Sequence, residues 1–329
     1  MKKLVLLLIV ALIALTSCSS GGAAGSKKYS VGSYSITSPI ADRNKVNGEK
    51  VQMNTTFATV LMADGKVVNV SIDTAQTDVV IDETGKVTLP AETPTKNEKK
   101  DAYNMKSASE IGKEWYEQID ALEAALIGKT VEEVQNFDLT ENNTVADADL
   151  ASSVSITVNG YLEVVALAME NAKEVEGTVA QIGSAVETAV SDRAVADGNP
   201  GRVQFNSTYG HVVLDADGKV IQAFVDVAQN NVEYNEKGEW SDFTALDSKK
   251  VRKEDYGMAN ASQIGKEWYE QAEALEEWMV GQTVEEINGV AKDDSGKATD
   301  EALTSSVTVG INDYQSIVTK ASENAVEVK

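Results

Sequence analysis

IGKEWYEQ occupies residues 111–118 and recurs unchanged at residues 264–271, 153 positions further on. The same offset pairs Asp64-Gly65-Lys66 with Asp217-Gly218-Lys219, Asp73 with Asp226, Gln76 with Gln229, Tyr103 with Tyr256, Gly128 with Gly281 and Tyr161 with Tyr314. Upstream, VQMN at 51–54 matches VQFN at 203–206 after a one-residue shift, and Asp42-Arg43 matches Asp192-Arg193 more loosely. A self-match this long, free of insertions over most of its length, is that of a whole domain. It predicts two tandem copies, residues 30–176 and 177–329, with little room for a linker between them.

Within each copy the apolar period switches once. Val68, Val70 and Ile72 alternate with Val67, Asn69 and Ser71, and Ile221, Ala223 and Val225 do the same, which is the period-two pattern of a strand. Asp64-Gly65 and Asp217-Gly218 supply hairpin chemistry, because both residue types tolerate positive φ, and Thr84-Gly85 and Lys237-Gly238 read as a second turn. Further along the period becomes helical. Ile111, Trp115, Ile119, Leu122 and Leu126 fall on one face, as do Ile264, Trp268, Ala272, Leu275 and Met279. Ser107 with Glu110 and Asn260 with Gln263 are placed as N-terminal caps, and Gly128 and Gly281 as C-terminal ones. Thr130 with Glu133 and Thr283 with Glu286 repeat the capping-box spacing ahead of a short helix. A last helix carries Tyr161, Val164, Val165, Ala168 and Ala172, matched by Tyr314, Ile317, Val318, Ala321 and Ala325. The fold class is therefore α+β, each copy an antiparallel meander followed by helices.

The chain opens with Lys2 and Lys3, an apolar run over 4–15, and Thr16-Ser17-Cys18. That run is too short for the ~20 residues of a membrane-crossing helix and suits a secretory leader, residues 1–17. Residues 15–18 resemble a bacterial lipobox, which implies that Cys18 is acylated and anchors the mature chain in the cell envelope, on the extracytoplasmic face of its membrane. Cys18 is the sole cysteine, so no disulfide, thiolate nucleophile or cysteine metal site is available. Residues 18–29 read as a flexible tether. The formal charge is −23, and loss of Lys2 and Lys3 with the leader takes it to −25. Such a surface repels nucleic acid and anionic head groups.

A function common to both copies needs residues common to both. His211, the only histidine, faces Thr59 in that comparison, which removes a shared histidine base or metal site and leaves His211 as a surface strand residue. Walker, dinucleotide-binding and nucleophile-elbow motifs are absent. One shared stretch is rich in hydroxyls: Ser152, Ser153 and Ser155 in the first copy, Ser305, Ser306 and Thr308 in the second. Val154, Ile156 and Val158 alternate with Ser153, Ser155 and Thr157, which predicts a short strand running into the last helix. A phosphate at that helix start and a plain half-buried strand are both compatible with it. Trp115 and Trp268 read as core or as the edge of a ligand's ring, and Lys113–Glu117 and Lys266–Glu270 as surface pairs four apart.

The order of strands with a D-G-K turn, helices, and a Ser/Thr motif before a closing helix resembles the FMN-binding domain of bacterial flavin-carrying lipoproteins and of subunits of redox-driven ion pumps. In that family the motif ends S-G-A-T and its threonine is esterified to FMN by a flavin transferase. The resemblance implies an electron carrier served by a membrane donor, with FMN at Thr308 and at Ser155, and with Ser305, Ser306, Ser152 and Ser153 in the preceding part of the motif. Here serine stands for the motif's glycine and valine for its alanine. The alternative is a non-redox surface lipoprotein, a binding or spacing module that keeps the fold without a cofactor.

Overall fold

The computed structural model describes residues 27–42 and 49–329. The leader 1–17, Cys18 and the tether as far as residue 26 lie outside the described residues. The chain is a mixed α+β structure with two antiparallel sheets. Three long strands, β1 (Tyr29–Asp42), β2 (Glu49–Ala63) and β3 (Lys66–Ile81), form a meander extended by β4 (Val87–Thr88). Helices α1 (Lys96–Lys99), α2 (Trp115–Leu126), α3 (Val131–Gln135), α4 (Ala148–Ala151) and α5 (Asn159–Glu170) follow, and β5 (Lys173–Glu174) returns to the free edge of β1. The second half carries the same order: β6 (Gln181–Arg193), β7 (Gly201–Leu214), β8 (Val220–Tyr234), α6 (Lys249–Arg252), α7 (Trp268–Met279), α8 (Val284–Asn288), α9 (Glu301–Thr304), α10 (Asn312–Glu323) and β9 (Val326–Glu327), which closes on β6.

Turn chemistry sets the hairpins. Asp64 and Gly65 both take positive φ, 50° and 78°, as a tight β2–β3 turn requires. In the β7–β8 turn only Gly218 does so, and Asp215 Oδ1 organises the loop by accepting from the N–H groups of Asp217 and Lys219. Beyond each turn the register slips by one residue, leaving Val68 and Ile221 as the extra residues of a bulge. The simple alternation predicted at this point is thereby broken. Val67, Val70 and Ile72 face one core, while Val68 packs on the other side.

The helices show which local signals won. Thr130–Glu133 and Thr283–Glu286 form the reciprocal capping boxes expected of them. Gly128 and Gly281 sit at φ 83° and 85° and donate their N–H groups to Val67 O and Val220 O, tying helix end to strand start. Ser107 with Glu110 and Asn260 with Gln263 do not cap helices, because α2 and α7 begin only at Trp115 and Trp268. The caps are Glu114 and Glu267, boxed with Glu117 and Glu270. Each cap carboxylate also holds two backbone N–H groups of the preceding loop. Glu117 and Glu270 are used in this way, so the expected pairs with Lys113 and Lys266 are not made.

Packing arranges these elements in four layers: helices, sheet, sheet, helices. Ala58, Val60 and Met62 of β2 turn toward α2 and α5 in one core, and β7 and β8 meet α7 and α10 in its counterpart. The opposite faces of the two sheets meet each other, β2 on β7, β3 on β6 and β1 on β8. Val51, Met53, Val79 and Ile81 bury against Val203, Phe205, Val232 and Tyr234 there, and Leu61 against Ile182 and Val213. At roughly 1.5–3 kcal/mol for each fully buried aliphatic or aromatic side chain, this shared layer is a substantial third core. Trp115 and Trp268 are core residues, and the indole N–H of each donates to Tyr161 Oη or Tyr314 Oη at 2.9 Å.

Candidate functional site

The hydroxyl stretch forms no strand. Residues 152–158 and 305–311 are turns and irregular chain between α4 and α5 and between α9 and α10, and apart from a single bridge of Gly310 to Lys297 they pair with no strand. Their partner is a glutamine side chain. Gln118, fully buried in α2, accepts at Oε1 from Ser155 N (2.9 Å), Ser155 Oγ (3.3 Å) and Ile156 N (3.2 Å). Its amide nitrogen donates to Ser109 Oγ and Lys113 O. Gln271 repeats this clamp on Thr308 N (2.8 Å) and Thr308 Oγ1 (3.1 Å), and on Ser262 Oγ and Lys266 O. The last residue of the repeated octapeptide is thus a staple between two loops. Ser152 spends its hydroxyl on Asp149 O, and Ser305 stands 3.5 Å from Ser306 at the surface.

A phosphoester-linked flavin needs a free hydroxyl, unoccupied N–H groups for the phosphate and a cleft for the ring. At Ser155 and Thr308 the hydroxyl and the N–H are both taken by glutamine, and none of the cavities considered below reaches these residues. The residues present do not fit the group. Gln271→Leu is expected to cost about 2–4 kcal/mol, since it strips partners from several part-buried groups at once. Thr308→Ala, which keeps the backbone bond, should cost less than about 1 kcal/mol. Chemical denaturation of the two variants compares them, and equal small losses would refute the staple.

The aromatic face beside this stretch is occupied as well. Lys96 Nζ lies 5.1 Å from the Tyr103 ring centroid and 5.4 Å from that of Trp115, and Lys249 lies 4.8 Å from Tyr256 and 5.1 Å from Trp268. Burial pulls both ammonium groups down to about 8, against the opposing pull of Asp73 and Asp226. The tryptophan face that a flavin ring would use carries a lysine instead.

A cavity lies elsewhere, between the two sheets. It has a volume of about 420 Å³ and is walled by Phe57, Thr59, Ser71 and Asp73 of the first sheet, by Asn97 and Glu123 from the helical part, and by 182–186 of β6. Glu123 Oε1 accepts from Ile72 N at 2.6 Å, and among the described residues no cation pairs with it. Burial pushes its carboxyl up to about 8, with Asp120 and Asp73 adding repulsion. Asp73 Oδ1 accepts from Thr74 N and Asn97 N, and burial holds it above the usual carboxylate range. At the mouth, Lys320 is already paired with Glu98 at 2.6 Å.

The matching place on the other side is full. Positions 57, 59, 71 and 97 correspond to Tyr209, His211, Phe224 and Lys250. Tyr209 Oη donates to Asp226 at 2.8 Å. The ring of His211 stacks on Phe224 at 5.4 Å, and its Nδ1 stands 2.7 Å from Ser33 Oγ across the sheets. Lys250 Nζ lies 2.5 and 2.8 Å from the two oxygens of Glu276, itself bonded to Val225 N at 2.6 Å as Glu123 is to Ile72. His211 is therefore not a surface residue. It is buried, and its ring nitrogen is pulled down to about 3 by that burial, so it stays neutral at ordinary pH. Sequence comparison set this residue aside because its counterpart differs, and the difference is what leaves one side open. Compared with protein-family models, with curated proteins and with solved structures, the chain matches none.

Proposed function

We propose that the chain is a lipid-anchored extracytoplasmic binding protein, one domain duplicated in tandem, that holds a small ligand between its two halves and carries no flavin. The observation that carries this reading is the asymmetry of the inter-sheet layer. One of two corresponding places is filled by Tyr209, His211, Phe224 and Lys250, and the other is a cavity with three carboxyl groups, Asp73, Glu98 and Glu123, in its wall. A cavity of this size, walled largely by polar and charged side chains such as Ser71, Asp73, Asn97 and Glu123, suits a small polar molecule. The clamped hydroxyls and the lysine-covered tryptophans argue against the electron carrier.

Co-expression with a flavin transferase, followed by in-gel fluorescence, tests the reading. The protein is expected to stay dark, to show no blue-light absorption when purified from its envelope, and to move to the soluble fraction on Cys18→Ser. A fluorescent band that disappears in Thr308→Ala would restore the flavin carrier and its membrane electron donor.

A further inference from the structure

The second half supplies its own ammonium ion at the place where the first half leaves space, and we propose that the first half takes one from solution: the cavity binds a small aliphatic primary amine, its ammonium seated on Glu123 beside Asp73. This rests on the binding-protein reading above and adds the class of ligand. Glu123 and Glu276 are held alike, each by a strand N–H at 2.6 Å. Only Glu276 has a cation, Lys250 Nζ, which also sits 4.3 Å from the ring centroid of Phe224. In the first half the corresponding residues are Asn97 and Ser71, so the charge and the ring are both missing and their volume is empty. A buried carboxylate is held ionised at much lower cost when a cation hydrogen-bonds to it.

The adjoining groove favours a second ammonium. It shares Glu98 and Lys320 with the cavity and adds Glu92, Glu187 and Asp313. Lys320, 2.6 and 3.8 Å from Glu98 and Glu187, offsets only one of these charges, so the groove keeps an excess of carboxylates. A linear diamine reaching from Glu123 toward the mouth therefore gains over a monoamine. Seating the ammonium requires Glu123 to give up the proton that burial favours, so binding tightens as pH rises toward about 8. Asp73 and Asp120 oppose that ionisation, and of the ammonium groups lining the cavity Lys320 is paired with Glu98 and Lys100 lies over the ring of Tyr116.

Calorimetric titration of the full chain with 1,4-diaminobutane, butylamine, butyrate and potassium chloride tests the proposal. One site per chain is expected for the diamine, about tenfold tighter than for butylamine, with no binding of butyrate or potassium. Glu123→Gln should weaken it about 30-fold or more, the size expected when one partner of a buried charge pair is removed. Asn97→Lys, which rebuilds the arrangement of the second half, should abolish binding and raise Tm. Ser71→Phe provides a second way to fill the space should the lysine variant fail to fold. Absence of diamine binding, binding that survives both Glu123→Gln and a filling variant, or equal competition by potassium would overturn the proposal. A dark protein that ignores amines rejects the amine alone, whereas a flavin band rejects the reading beneath it.

Discussion

Gly183→Ala is expected to destabilise the protein by on the order of 3 kcal/mol or more, and Gly32→Ala by a similar amount. Gly183 lies in β6 directly under α10, where an added Cβ would run into Ala321 O and stand 2.8 Å from Ala325 N and Cα. Gly32 in β1 meets Ala168 O and Ala172 in the same way under α5. These obstacles are backbone atoms of a helix and of the residues just beyond its end, which no rotamer change moves aside. Gly160 provides the contrast, since nothing stands within 4 Å of its added Cβ and it lies at the start of α5 with ordinary φ. Gly160→Ala should be neutral or stabilising by up to about 1 kcal/mol. Urea midpoints of the three variants decide, and a loss at Gly183 below about 1 kcal/mol would show that the helix rides higher than described.

The second large effect is expected at Lys250→Met. It leaves Glu276 buried with Val225 N–H as its remaining partner and should cost about 3–5 kcal/mol near neutral pH. The loss should depend on pH in a definite sense. Burial already raises the Glu276 carboxyl and Lys250 pulls it back, so removing the lysine raises it further. A carboxyl raised in the folded state binds more protons there than in the unfolded chain, and stability then falls as pH climbs through the window above the unfolded value of about 4.5. The variant should therefore lie close to the parent at pH 4–5 and diverge from it upward. Glu276→Gln added to Lys250→Met should flatten that divergence. A pH-independent deficit would mean that the lysine acts by packing alone.

Much of the architecture was legible in the residues, and the exceptions have identifiable causes. Hairpins showed through Asp64-Gly65 and the helix-closing glycines, because positive φ is a demand few residue types meet. Capping boxes showed through Thr130 and Thr283 for the same local reason. The start of α2 was misplaced because its cap is Glu114, a long carboxylate that also gathers two loop N–H groups from nine and eight residues upstream. Serine and threonine at 152–157 alternated like a strand, yet a strand exists only where another pairs with it, and here a buried glutamine takes that part.

The candidate cavity was hidden by a different cause. It is made where the two halves differ, at Phe57, Thr59, Ser71 and Asn97, and a search for residues common to both halves discards those positions. The sheet-to-sheet packing that brings them together joins residues more than a hundred positions apart, which no local pattern announces.

The apolar layer shared by the two sheets ties each half to the other. Val51, Met53, Val203 and Phe205 cover one another, so a half cut loose between residues 176 and 177 would expose a broad greasy face and should pair with a second copy of itself. In such a symmetric dimer any change in the contact layer occurs twice, and a pocket and its plug cannot coexist as alternatives. In one continuous chain the two faces are separate sequence, so one can carry Tyr209, His211 and Phe224 while the other keeps Phe57, Thr59 and Ser71 around an open space.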